Sequence, residues 1–173
     1  DTNIHVILIF SDQIDLNTLS EDFNVFKRDA KNPDNNDKIY WDYNDICAFA
    51  QKHNALISIH AGSKDKGVDT QISNALPINQ AVKEEFAKTV SIFEVGKEKD
   101  IDDYKKYVFP DIKSTKPLII CSDSHDPRNY HPAHQLWIKS DPTFNGLKQI
   151  IYEPDERVCI SDYRPQEKAP YHI

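Results

Sequence analysis

The chain has 173 residues, 39% of them apolar and 28% charged, with a formal net charge of −7. That length supports one domain with a real core and is too short for two ordinary ones. No apolar run approaches the ~18 residues of a membrane span, so no membrane is expected among its partners, and the acidic balance argues against broad electrostatic binding to nucleic acid.

Three cysteines, Cys47, Cys121 and Cys159, are an odd number, and two of them sit inside apolar runs. A disulfide framework is not expected, and a reducing, cytoplasmic setting is. The chain contains no methionine and opens on Asp1 directly before a core-like strand. This reads as a piece cut or processed at its amino end.

Residues 3–10 (NIHVILIF) predict a strand with one polar intruder, His5. A loose helical period through Leu16, Leu19, Phe23 and Phe26 predicts a helix over 15–29, with Lys27 and Arg28 in its last turn. A polar loop around Asn32, Pro33 and Asp34 follows. A second helix is expected over 42–53, ended by Asn54 as a left-handed cap. Residues 56–60 (LISIH) predict a strand that delivers His60 at its carboxyl end, followed by a long loop over 61–76.

A third helix is expected over 79–90, a strand over 91–95 stopped by Gly96, and a short helix over 100–108 ended by Pro110. Residues 117–126 (PLIICSDSHD) read as a strand buried on both faces that breaks into small polar residues. Residues two apart in extended backbone point the same way, so Asp123 and His125 project together. Further on, a short strand is expected over 135–138, and a helix over 141–152 with Asp141 as cap and Pro142 in the first turn. A last strand is expected over 157–160. Residues 1–160 then form one domain, and 161–173 a polar tail or linker.

Strands alternating with helices predict an α/β fold with mostly parallel strands. Ligands in such folds gather at the carboxyl ends of the strands, where His60 and the Asp123/His125 pair both fall. A carboxylate beside an imidazole suits a metal or an acid/base pair, and equally a turn cap beside a surface histidine. His60 reads as a ligand or as a solvent-facing strand-end residue. His5 reads as a satisfied core histidine more readily than as a ligand, because it sits at the start of its strand. Glu94 faces the same pocket or is a structural hydrogen-bond acceptor. Cys121 reads as a core residue, and His131 with His134 as a surface loop. There is no G-x-S-x-G elbow for a serine hydrolase, no P-loop and no dinucleotide glycine motif.

The series IHVILIF, ISIHAGSK, IFEVG and ICSDSHD resembles the later motifs of the PHP (polymerase and histidinol phosphatase) family. The segment over 137–158 (WIKSDPTFNGLKQIIYEPDERV) resembles the TrlF-like branch, in which a PHP domain precedes an ATPase of the SMC/AAA kind. This resemblance implies the later part of a distorted β/α barrel of about seven strands, with a two- or three-metal site at its carboxyl mouth and phosphate-ester hydrolysis as its chemistry. It implies His5, His60, Asp123 and His125 as ligands of divalent metal ions (zinc, manganese or iron). Lys64 and Arg128 are the expected substrate-phosphate contacts.

The family's opening His-x-His, its early Asp and His, and the Glu before the His5 position are not found here, and are expected upstream of Asp1. The leading expectation is a metal-dependent phosphoesterase domain, impaired in this piece. The alternatives are a non-catalytic remnant or scaffold associated with an ATPase domain or subunit, and a nuclease acting on DNA or RNA with that ATPase.

Overall fold

The computed structural model describes residues 3–35, 39–72, 77–122, 124, 126–130 and 135–166. It is a mixed α/β structure around a four-stranded, mostly parallel sheet. The strands are β1 (Val6–Ile9), β2 (Leu56–Ala61), β3 (Ile92–Val95) and β4 (Leu118–Ile120), ordered β1-β2-β3-β4 in space. Strands β2, β3 and β4 run parallel. Strand β1 is antiparallel to β2, pairing Val6 with Ile59 and Ile9 with Leu56. This departs from the parallel alternation expected of the sequence, because an apolar run specifies a strand and its two faces but carries no sign of direction. Among the described residues the sheet is open. Strands β5 (Leu136–Ile138) and β6 (Val158–Ile160) form a separate antiparallel pair.

The helices form where local chemistry starts and stops them. Asp15 caps α1 (Leu16–Arg28), its carboxylate accepting from the Asn17 amide, and Lys27 and Arg28 close the last turn. Helix α2 (Tyr43–Lys52) is followed by Asn54 at φ 51°, the expected left-handed residue. The long loop after β2 holds a short helix, α3 (Val68–Gln71), before α4 (Pro77–Thr89).

Two helix boundaries differ from expectation. Pro110 does not end a helix. Helix α5 (Glu98–Asp103) widens into a π-helical turn, Tyr104–Val108, and Pro110 then sits in the first turn of α6 (Phe109–Ile112), where its missing amide is harmless. Lys113, at φ 53°, makes the actual stop. Nor is Asp141 the cap of α7 (Phe144–Gln149). Thr143 is, accepting from the Gly146 amide. A Cβ at Gly146 would lie 2.1 Å from the Asp141 carbonyl oxygen, so the helix packs directly on that backbone and pushes Pro142 into the turn before it. Helix α8 (Pro154–Arg157) leads into β6.

Pleating sends alternate residues to opposite sides of the sheet. On one side Ile57, Ile59, Ala61, Phe93, Val95 and Leu118 join a buried cluster with Phe86, Val90, Tyr104 and Phe109. On the other, Leu56 and Ile92 pack against Phe144 and Ile150 at one end only. Fully burying each such side chain contributes about 1.5–3 kcal/mol, so the first side holds the fold together. Cys121 lies just past the end of β4 and is exposed, not in the core as its apolar neighbours suggested; no disulfide joins the three cysteines. No helix among the described residues is long and apolar enough to cross a membrane.

Candidate active site

The second sheet face carries polar residues toward the carboxyl ends of β2 and β3. In β2 the residues on this face are Leu56, Ser58 and His60, and in β3 they are Ile92 and Glu94. Parallel register sets His60 beside Glu94. His60 is only 5% exposed and Glu94 4%, so both project into the protein and not into solvent. The Nε2 of His60 lies 3.8 Å from Oε1 of Glu94. Its Nδ1 lies 2.9 Å from the Asp65 carbonyl oxygen. A carbonyl can only accept, which assigns a proton to Nδ1 and turns Nε2 toward Glu94.

Lys64 comes from the turn that follows β2. It folds back under the strand ends, where its ammonium donates to Oε1 of Glu94 in a buried ion pair. The turn is tight because Gly62 adopts φ 61° and Lys66 φ 52°. A Cβ at Gly62 would also lie 2.6 Å from Cγ of Asp100, so position 62 is restricted twice, by conformation and by space.

Two carboxylates brace this turn. Oδ2 of Asp100 accepts from the Ser63 amide (3.1 Å), the Ser63 hydroxyl (2.8 Å), the Gly96 amide (3.3 Å) and the Lys97 amide (3.1 Å). Asp69 accepts from the Gly62 amide at 2.7 Å, the Tyr104 hydroxyl at 2.5 Å and the Lys83 ammonium at 3.2 Å. Burial, reinforced by the Asp69 charge, pushes the Tyr104 phenol well above its ordinary range, so it remains a donor.

His5 joins from the antiparallel strand. Its amide donates to the Lys66 carbonyl (2.9 Å), and its own carbonyl accepts from the His60 amide (3.3 Å). The two imidazoles meet edge to face, with ring centroids 4.4 Å apart. The side chain is exposed, which removes the reading of His5 as a packed core histidine. Because β1 runs antiparallel to β2, the start of β1 lies at the carboxyl end of β2. The position that told against His5 in the sequence is the one that brings it to His60.

His5, His60 and Lys64 are thus brought together, with Glu94 as a fourth member. Asp123 and His125 lie outside the described residues, as do His131 and His134. Arg128 is held across its own turn by a two-pronged pair with Asp126, at 3.0 and 3.1 Å, and its side chain is 87% exposed. Asp69 and Asp100 escaped notice in the sequence. Their partners are mostly backbone amides, which leave no residue pattern; the one signal was an acid three residues into the helix that follows Lys97.

The divalent metal implied by the family resemblance can be tested against these donors. His60 is wired as a metal-binding imidazole, with one nitrogen on a carbonyl and the other turned toward Glu94. The Glu94 oxygen stands at about the spacing of two ligands on one first-row ion. Lys64 already neutralises that oxygen, and among the described residues no group of three or more His, Cys, Asp or Glu is arranged to hold a metal. The donors fit a metal in kind and supply one side of its shell. No family model, curated protein or solved structure matches this chain significantly.

Proposed function

We propose that this chain carries the later part of a PHP-type phosphoesterase domain, with its reaction centre at His5, His60, Lys64 and Glu94. The observation that supports the reading is the convergence of His60, Lys64 and Glu94 in one buried cluster at the carboxyl ends of two parallel strands. On this reading the four-stranded sheet is a sector of a barrel wall. The helix-covered face is its outside, and the face of Ser58, His60 and Glu94 its lining.

His60 would hold a divalent ion (zinc, manganese or iron) through Nε2, with Asp123, His125 and His5 as further ligands. Bound there, the ion supplies Lewis-acid polarisation of a phosphoryl oxygen. The rest falls to the chain's own groups. Lys64 neutralises Glu94 and has further protons to offer a phosphate oxygen of the substrate. Glu94, an acceptor in a water-poor site, orients the attacking water and takes its proton. Asp100 and Asp69 hold the turn that places Lys64. The His60 tautomer is fixed by the Asp65 carbonyl, so Nε2 needs no reorganisation before it acts.

One feature favours a second reading, a non-catalytic scaffold for an ATPase domain or subunit. The Lys64–Glu94 pair is satisfied internally and needs no ligand to stay buried.

Hydrolysis of 4-nitrophenyl phosphate with manganese, zinc or iron(II), followed alongside thermal unfolding, separates the two. The phosphoesterase reading expects turnover that depends on metal, a metal-induced rise in Tm, and a loss of at least ~100-fold in turnover in His60→Gln. Absence of both turnover and the Tm rise with all three metals would overturn the phosphoesterase reading for this chain and favour the scaffold.

A further inference from the structure

Helix α1 is amphipathic, yet none of its 13 residues is buried. Its apolar side is only partly covered: Val25 is 48% and Phe23 43% exposed. Between α1 and α2 runs a groove of about 350 Å³, near the lower end of the ~300–1,000 Å³ typical of ligand sites. Its aromatic base is a stack. Phe26 lies against Trp41 with centroids 5.2 Å apart and planes at 7°, and against Phe49 at 4.5 Å and 19°. The Trp41 indole N–H is spent on the Phe26 carbonyl (2.9 Å), which fixes the stack and leaves no donor there for an anion.

Three carboxylates line this groove: Asp22 from α1, Asp29 at the carboxyl-terminal cap of α1, and Asp45 from α2. The single lysine lining it, Lys52, is paired with Asp22 at 2.7 Å. The ring of His53, with its side chain 7% exposed, also backs Asp22, Nε2 to Oδ2 3.2 Å. Among the described residues, no cation pairs with Asp29 or Asp45. The groove combines exposed apolar area, an aromatic stack and uncompensated negative charge, in a chain that is acidic throughout.

We propose that the groove between α1 and α2 docks a basic segment of a protein partner, with an arginine side chain entering between Asp29 and Asp45 onto the Phe26–Trp41 stack. A guanidinium satisfies both demands at once. Its plane and charge suit an aromatic surface, and its fork of N–H donors suits carboxylates. The apolar lining at Val25 and Ala48 takes the aliphatic residues that flank the arginine. An acidic peptide, a nucleic acid or an anionic lipid surface would meet repulsion here.

The probe is a fluorescein-labelled decapeptide of alternating arginine and leucine, titrated with the whole chain and followed by anisotropy. Wild type should bind saturably, and Asp29→Asn/Asp45→Asn should weaken binding about tenfold or more. Asp102→Asn/Asp103→Asn, which removes equal charge from exposed positions of α5, should change it by less than about twofold. In a Trp137→Phe background the peptide should also perturb the fluorescence of Trp41. Equal weakening by the two double variants would overturn the proposal, since the peptide would then be sensing overall charge alone. So would the absence of saturable binding. Full displacement by equimolar arginine amide would overturn the choice of a peptide segment. Self-association that is lost in Asp29→Asn/Asp45→Asn would give the groove to a second copy of the chain.

Discussion

The two faces of the central sheet are built from the same strands and, in β2 and β3, are buried to nearly the same degree, yet they differ in kind. Ile59 and His60 are neighbours in β2, at 0% and 5% exposure, and Phe93 and Glu94 are neighbours in β3, at 1% and 4%. One member of each pair enters the apolar cluster under the helices; the other meets a charge. The helix-covered face is held by shape and dispersion, and the buried hydroxyl of Tyr104 there is satisfied by Asp69. The opposite face is apolar only at the end covered by Phe144 and Ile150, and is charged where the strands finish. Burial alone therefore does not separate structure from chemistry. The pleat does, because it lets one strand serve a core and a site with alternate residues.

The contrast can be broken most strongly on the apolar side. Phe93→Ala should destabilise by about 3–5 kcal/mol, the transfer loss plus a cavity that the surrounding helices cannot fill. Chemical denaturation measures this, and a change below about 1 kcal/mol would mean that this face is loosely packed.

On the charged side the expected pattern is non-additive. Lys64→Met alone should cost about 3 kcal/mol, because it leaves the Glu94 carboxylate buried without its cation. Adding Glu94→Met should recover most of that loss, bringing the double variant within about 1 kcal/mol of wild type. A double-variant cycle by urea unfolding measures the coupling. Additive losses would show that the pair acts as packing, like the face behind it.

The smallest effect belongs to Ser58, on the charged face but nearer its apolar end. Its hydroxyl is buried and meets no hydrogen-bond partner. Ser58→Ala should raise stability by about 0.5–1 kcal/mol, since an unpaired buried hydroxyl costs and a methyl does not. A fall of the same size would mean that the hydroxyl is bonded through a buried water.

The sequence made the strands and their order along the chain legible, because apolar runs and punctuation by Gly96, Asn54 and Pro117 are local signals. It also delivered His60 to the right strand end. It undervalued His5 because strand direction is a property of pairing, set by how the chain returns through α1 and α2, and not of any single strand. Lys64 was chosen as a phosphate contact; that it folds back onto Glu94 depends on a left-handed Gly62 and a turn braced from two helices away. Glu94 reads from the sequence as a pocket or a scaffold residue, and both descriptions apply, since it faces the site and accepts from Lys64. Asp69 and Asp100 were invisible for the reason that makes them useful. Asp100 binds mostly amides, which any sequence supplies, and the Tyr104 and Lys83 partners of Asp69 lie far along the chain.

The four donors on Oδ2 of Asp100 have a consequence for how the rim of the site moves. Ser63, Gly96 and Lys97 are exposed loop residues, which ordinarily exchange their amide hydrogens with water almost freely. Here all three amides are tied to one oxygen atom. Displacing that carboxylate frees all three amides together. The Asp100 carboxylate therefore ties the turn after β2 to the turn after β3, which also touch directly where Gly96 packs on the Lys64 backbone.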